Sequence, residues 1–580
     1  MRLTMYKTAF VLACLACVGH GRHLHFSTTA RESLKAIGLA LDTNSLAEAR
    51  QSSTRANAQS TSSALRGTTP SAQLARLLRV VHSTPAFHAA VGARLQRMLL
   101  PIVAQGRVLS SPKILLSVSP ALSANKDSIA EASSKVEDES LVVPTPVELS
   151  FWTALKGAFS SQTFRDFMTY VRRECGDSVF VNLWPMLPPM YVLMGKAANR
   201  GVLSELDPSL AQILQEFINL LPISARVPAE EDVLLQRKMA QLFSNTQIIN
   251  KRLPVFRDIA ERMRNSWVGD VSRGDAGRGS LNIFFELSEY VLRADLEVLY
   301  GRRFTERHAP QLVSRFADWV SNIANGQLVG FFEELGQHLR QAITDMQSNP
   351  DAYRGERSVL QVYLKAGAQA RHDIDAIVGL LSMSLMAAVF NTQVSLAWIL
   401  VHLYAEPELL ARARKEIAEC PDLNDFTALS ELEFLNSCID EAVRMHTTLP
   451  GNTVLRKTKH DLQLGEATVK EGSIIWLYPN AVHGDERYFP QAGKFCPMRL
   501  LSGNLERMNT EFEIVTFGHG QKRCVGEKMA RAMILTFLAT VLPTVNADAI
   551  DDLPDDDFFD LIPASKLRLH NLREPSRDSS

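Results

Sequence analysis

Beyond Pro146 the apolar positions recur mostly at helical spacing, with short alternating runs between them. That spacing predicts helices over Phe164–Glu174, around Ala197–Leu206, and over Asp232–Phe243, Leu281–Tyr300, Ala376–Tyr404, Glu406–Ala418 and Ala428–His446. A last helix carries Met529, Met533, Ile534, Phe537, Leu538 and Val541 and stops before Pro543, whose ring cannot continue it. Alternation predicts strands over Ser178–Leu183 and Pro189–Leu193, one opened by Arg456, and final strands near Leu567–Leu572. The expected class is mainly α with small β-sheets, an α+β arrangement.

The run Ala376–Tyr404 contains no charged residue and is long enough to cross a bilayer. Asn391, Thr392 and Gln393 put polar groups at its middle, the costliest depth in lipid, while Asp373 and Asp375 precede it and Glu406-Pro407 ends it. These features predict a central helix buried in protein.

The chain has 580 residues, 46% hydrophobic and 22% charged, enough for a large core and a leader besides an enzyme domain. A formal net charge of -1, with no stripe of Lys and Arg interleaved with aromatics, excludes nucleic acid as a partner. The cysteines are odd in number, and only Cys14 and Cys17 have metal-ligand spacing. That pair lies in an apolar targeting-like segment, so no disulfide framework or zinc site is expected.

Residues 1–21 carry Arg2 and Lys7, an apolar Thr8–Val18 and small residues, the layout of a signal peptide. Residues 22–142 are rich in Ser, Ala and spaced Arg, as in an organelle transit peptide or a disordered linker. Two destinations stay open: the endoplasmic-reticulum membrane, or a plastid or mitochondrion through a two-part leader. Pro144 and Pro146 mark the boundary of a folded domain over 143–580.

The chemistry centres on Phe517–Ala530, FGHGQKRCVGEKMA, which sets Cys524 between a glycine-rich loop and the last helix. Gly518, Gly520 and Gly526 allow the backbone close to a flat ligand, and a helix N-terminus favours a thiolate. Taken alone, such a cysteine is equally a small buried hydrophobe, and such a turn could cradle a phosphate.

The stretch resembles the haem-binding signature of the cytochrome P450 family, with Phe517, Gly520, Cys524, Gly526 and Ala530 in register and Lys522 where the family has Arg or His. Further motifs follow in family order: Thr392 on the central helix, Glu441-x-x-Arg444, and Phe495-x-Pro-x-Arg499. The resemblance implies the cytochrome P450 fold over Val143–Pro575 and haem b (iron protoporphyrin IX) with Cys524 as the iron ligand. Lys522 and Arg456 would serve as propionate partners, with Arg237 and Lys238 as further candidates, and Glu441, Arg444 and Arg499 would form a buried brace. Thr392 would steady dioxygen and pass protons, or else bond the carbonyl of Ala388 and do nothing more. Asn391 stands where the family has an acid. The Asn391-Thr392 pair, with Trp476–Pro479 and His483–Asp485, resembles the sterol hydroxylase and prostacyclin synthase branch, although Glu486 stands where that branch has Pro.

The implied activity is insertion of one oxygen atom from dioxygen into an apolar, sterol- or lipid-like substrate. No flavin, nicotinamide or iron–sulfur fingerprint is present, so electrons would come from an NADPH-dependent reductase or a ferredoxin, docking on Lys522, Arg523, Lys528 and Arg531. Two alternatives remain: a haem-thiolate isomerase or dehydratase acting on lipid peroxides, and a haem-binding protein without catalysis. His483 and His519 are read as structural or exposed.

Overall fold

One long helix runs through the main core and packs against several other helices. The computed structural model describes residues 143–150, 153–154, 164–181, 190–203, 210–212, 233–268, 280–322, 329–370, 374–446, 454–464, 466–501, 503–520, 523–549 and 567–574, all within one compact unit. The leader expected over residues 1–142, the acidic run at 551–557 and Lys522 lie outside them.

We label the helices used below in chain order: α1 Phe164–Cys175, α2 Val233–Ser244, α3 Leu253–Val268, α4 Ile283–Tyr300, α5 Arg302–Asn322, α6 Val329–Ser348, α7 Ile374–Ala405, α8 Glu433–Met445 and α9 Glu527–Val541. Local chemistry sets several ends. Asn282 caps α4 by accepting the Phe285 amide, and Gly301, at φ 96°, closes it in a conformation that favours glycine. Pro407 begins a new helix straight after α7. The helix expected over Ala428–His446 is two helices, Phe426–Ser430 and α8. The Glu416 carboxylate accepts the Phe434 and Leu435 amides and so starts α8 afresh.

Helix α7 is long and apolar enough to cross a membrane, but it packs along α4 and contributes Ile377, Leu381, Val389 and most of Val394–Tyr404 to the main core. Gln393, fully buried, donates to the Phe284 carbonyl at 2.7 Å and to Ser288 Oγ at 2.7 Å, which fixes α7 in register on α4. Of the polar centre that argued against lipid, the Gln393 amide nitrogen is thus met by a neighbouring helix and that of Asn391 by α7 itself. Phe390 joins Phe316 and Trp319 of α5 and Phe331 of α6 in a cluster with ring centroids 5.3 to 5.7 Å apart, seating both helices beside Asn391.

The strands, also numbered in chain order, are β1 Val147–Glu148, β2 Ser178–Val181, β3 Met190–Leu193, β4 Leu210–Gln212, β5 Ser280–Asn282, β6 Val454–Thr458, β7 Leu462–Leu464, β8 Ala467–Val469, β9 Ile474–Leu477, β10 Asn546–Ala549 and β11 Arg568–Arg573. They form sheets ordered β1-β2-β3-β9-β6-β4, β10-β11-β5 and β7-β8. Arg456 lies at the middle of β6, opposite Ile475 and Gln212, and does not open the strand. Its alternation with Leu455 and Lys457 continues back to Val454, which extends the pairing with β9.

Candidate functional site

The brace is built on α8. Glu441 and Arg444 stand one helical turn apart and are 0% and 1% exposed. Arg444 Nε donates to Glu441 Oε2 at 2.7 Å and Nη2 donates to Oε1 at 2.8 Å, a bidentate pair. The remaining donors of Arg444 reach the carbonyls of His483 at 2.6 Å and Ala492 at 2.9 Å. Arg499 Nε and the Cys496 amide complete Glu441 at 3.1 and 3.0 Å, and the Arg499 fork spans the carbonyls of Pro490, Gln491 and Lys494. Every charge taken out of water is therefore met by an opposite charge or a carbonyl. Glu486 closes the same loop by accepting the Gln491 and Ala492 amides. Gln491 stands at φ 55°, a left-handed conformation that these bonds help to hold.

His483 is structural. It is 1% exposed, and its Nε2 accepts the Val515 amide at 3.1 Å. Burial, and then the charges of Arg444 and Arg165, lower its pKa to about 3. His402 and His446 face each other through Nε2 at 2.9 Å, inside a stack whose outer members are Trp398 and Phe495. Burial, and then His446, lower the His402 pKa to about 2. Both folded values lie below the unfolded value near 6.5, so below that pH the unfolded chain takes up protons that the folded chain refuses. Stability is then full above the unfolded pKa and is lost as pH falls towards the folded values. Between pH 7.5 and 5.5 the two histidines together should cost about 2 to 3 kcal/mol. Urea unfolding at the two pH values measures this, and equal midpoints would contradict it.

The Cys524 loop leaves the core at Phe517, which packs against the main cluster. Gly518 at φ 72° and Gly520 at φ 60° make its turns, and the Cys524 amide donates back to the Phe517 carbonyl at 2.8 Å. Half-buried His519 stacks on Phe512, with centroids 4.3 Å apart, and leaves a buried Nδ1 with no partner among the described residues. Helix α9 begins at Glu527, with Gly526 as its cap, so Cys524 stands just ahead of the first turn.

Cys524 is exposed by area, yet burial is the largest influence on its thiol and raises its pKa. The two observations agree if the sulfur opens onto an internal hollow. The nearby amides of Gly526 and Glu527 work in the opposite direction, while the Glu527 carboxylate adds to the rise. The helix end alone therefore does not favour a thiolate, contrary to expectation, because desolvation outweighs the amides. A coordinated metal cation would reverse that balance.

Along α7, Leu380, Met383, Ser384, Ala387, Ala388 and Asn391 keep accessible surface. Their spacing puts them on one face. Ser384, Asn391 and Ser395 bond the carbonyls four residues back, at Leu380, Ala387 and Asn391. Thr392, 5% exposed, makes no hydrogen bond among the described residues, so the back-bond to Ala388 is not formed. Helices α7 and α9 are in contact.

These features fit a flat metal-bearing group. One accessible sulfur sits in a glycine-lined cradle ahead of α9, the glycines let the backbone approach, and a Cβ built on Gly526 would lie 3.9 Å from the sulfur. Arg456 is 8% exposed and donates from Nη1 to the Leu455 carbonyl at 3.0 Å. Lys238 is exposed, and the Arg237 side chain lies outside the described residues. A separate cleft of about 620 Å3, lined by Arg257, Glu261 and Thr544 among others, adjoins the far end of α9, roughly 20 Å along the helix from Cys524. It does not serve the sulfur.

Charge near the loop departs from the expected docking face. Arg531 is only 14% exposed and is paired with Asp440 and Glu527, and Arg523 pairs with Glu527 as well. Lys528 is exposed. Arg531 is therefore removed from the exposed basic face: Asp440 on α8 draws it inward. Asp440 itself escaped the sequence reading, although an acid adjoining Glu441 and an i,i+4 spacing between Glu527 and Arg531 were legible signals.

Comparison with known proteins agrees with this geometry. The chain is 23% identical over 318 residues to cytochrome P450 71A8 of Mentha piperita, covering 50% of this chain and 63% of that one. It is 22% identical to the tabersonine/lochnericine 19-hydroxylase of Catharanthus roseus, covering 53% and 68%. A third relative is the 2-hydroxyisoflavanone synthase of Glycine max, 26% identical and covering 35% and 42%. The chain thus spans from about two-fifths to two-thirds of the length of these relatives, and none of the three supports the sterol hydroxylase and prostacyclin synthase branch. The fold matches the retinoic-acid-bound cyanobacterial CYP120A1 with a TM-score of 0.61 at 18% identity, covering 75% of this chain and 100% of that one. It also matches the cytochrome P450 CYP102L1 with a TM-score of 0.58 at 17% identity, covering 75% and 99%. Residues 143–556 match the family model described as Cytochrome P450; with the helical fold around α7 and the Cys524 loop ahead of α9, that match makes this chain a member of the cytochrome P450 family.

Proposed function

We propose that the chain is a haem-thiolate monooxygenase. It inserts one oxygen atom from dioxygen into an apolar, lipid- or sterol-like substrate, with electrons from an NADPH-dependent reductase or a ferredoxin. The observation that carries this reading is the accessible Cys524 sulfur between its glycine turns and α9, in a chain whose family binds haem b. The catalytic domain is 143–580. The leader directs it to the endoplasmic-reticulum membrane or to an organelle, and cell fractionation distinguishes the two.

Cys524 would hold the iron. Phe517, Gly520 and Gly526 would wall the cradle, and Lys522 and Arg456 would face the propionates. When bound, the haem supplies the redox chemistry that the protein side chains lack. Leu380, Met383, Ala387 and Ala388 offer the substrate an apolar face and exclude water from it. Thr392, with its hydroxyl uncommitted among the described residues, can hold and pass a proton. Asn391 spends its amide Nδ2 on the Ala387 carbonyl at 2.7 Å and cannot act as a carboxylate relay.

Asn391 also motivates a second reading, an isomerase or dehydratase that rearranges lipid peroxides without a reductase. Purified protein given a reductase, NADPH and an apolar substrate panel should turn over and consume NADPH. Turnover of lipid hydroperoxides without NADPH, and none with the reductase, would replace the monooxygenase by the isomerase. Stoichiometric haem binding with no turnover in either assay would leave a non-catalytic haem protein.

A further inference from the structure

Asp440 and Glu441 are consecutive on α8, and consecutive helical residues point about 100° apart. Two neighbouring carboxylates thereby serve different segments. Glu441 holds the Phe495–Arg499 segment, as described. Asp440, 1% exposed, accepts Arg531 Nη2 through both oxygens at 2.9 and 2.8 Å and the Thr516 hydroxyl at 3.0 Å. Arg531 also donates to Glu527 Oε1 and to Asn436 Oδ1, and its guanidinium lies 4.7 Å from the Phe517 ring centroid. Burial raises the Asp440 carboxyl above its usual range, and Arg531 and Thr516 offset part of that rise.

The consequence is topological. Thr516 and Phe517 lead into the Cys524 loop, and Glu527 and Arg531 lead out of it. Both ends are tied to a single carboxylate on α8. Cys524, just ahead of the first turn of α9, lies inside the segment closed in this way. An apolar pair of equal volume would hold α9 on α8 about as well, since a buried ion pair is seldom the more stable choice. An apolar pair would not supply directional bonds to Thr516, or a cation over the Phe517 ring.

We propose that Asp440 and Arg531 are positioning residues for the iron ligand: their ion pair clamps both ends of the Cys524 loop and holds the sulfur in its ligating position. This rests on the reading of Cys524 as the axial ligand. The clamp acts on the loop backbone and touches neither substrate nor iron.

The test uses the full chain loaded with haem, as wild type, Asp440→Asn, Arg531→Met and the double variant. Each is reduced under carbon monoxide, and the decay of the red-shifted Soret band that marks a thiolate ligand is followed beside the urea midpoint. Each single variant strands one buried charge and loses stability. The double variant strands none and regains the midpoint, yet its band should decay roughly tenfold faster than in wild type, because the loop ends are no longer held. Should the double variant bind no haem, hydrogen exchange at the Cys524 amide replaces the band and should quicken by about the same factor. Wild-type rates in the double variant would overturn the proposal and leave the pair as support for the fold alone. Cys524→Ala is run in parallel. A band missing from its first spectrum upholds the ligand assignment whatever the clamp variants do, and a band retained there rejects that assignment while amide exchange still decides the clamp.

Discussion

Cys524→Ala is expected to remove the red-shifted Soret band of the reduced carbon monoxide complex completely. It should also lower turnover at least roughly 10³-fold, about 4 kcal/mol of lost transition-state stabilisation. The effect is large because, among the described residues, no other cysteine stands on a glycine-rich loop ahead of α9. The remaining described cysteines are Cys175, Cys420, Cys438 and Cys496. Cys438 is fully buried in the core, and the Cys496 amide is committed to Glu441. Alanine leaves the glycine turns and α9 intact, so the folded state should survive with its urea midpoint little changed. A variant that kept the band would show that another group binds the iron.

The second large effect is on stability. Glu441→Gln keeps the shape of the side chain but removes the charge that balances Arg444, itself 1% exposed. Breaking a buried pair from one side strands the other charge, and about 3 to 5 kcal/mol should be lost. Against a total of roughly 5 to 15 kcal/mol for a domain, that loss is a large share of the stability. The Phe495–Arg499 segment should loosen first, since Arg499 and the Cys496 amide share Oε1 of the same carboxylate. Urea midpoints and haem content of the purified variant measure the effect. A change below about 1 kcal/mol would show that carbonyls alone brace this segment.

Both effects come from groups that the chain declares early, and the reason is chemical. A cysteine among glycines, a Glu-x-x-Arg on a half-apolar helix and a long uncharged run each leave a local signature. Periodicity likewise placed the helix starting at Phe164 and the strands at Ser178 and Met190 within a few residues of where they stand. The break between Phe426–Ser430 and α8 was not legible, because it depends on Glu416 of another helix accepting the first amides of α8. The resting state of Cys524 was not legible either. A helix end argues for a thiolate, but the desolvation that outweighs it is a property of everything packed around the loop.

Arg531 gives the clearest division. In the chain it is one of several basic residues about a cysteine and reads as surface charge. Its partner Asp440 is 91 residues away, so only the docking of α9 on α8 decides that the charge is internal. By itself the sequence determined the family, the class of fold and the residue types able to hold an iron. The class of fold follows from periodicity along one chain, and the family and the iron-holding residues follow from the resemblance of its ordered motifs. Which buried charge meets which, that the Thr392 hydroxyl finds no partner among the described residues and how strongly the sulfur is desolvated were decided by the tertiary structure. Those quantities depend on distances between segments, and distances of that kind are set only when the elements pack.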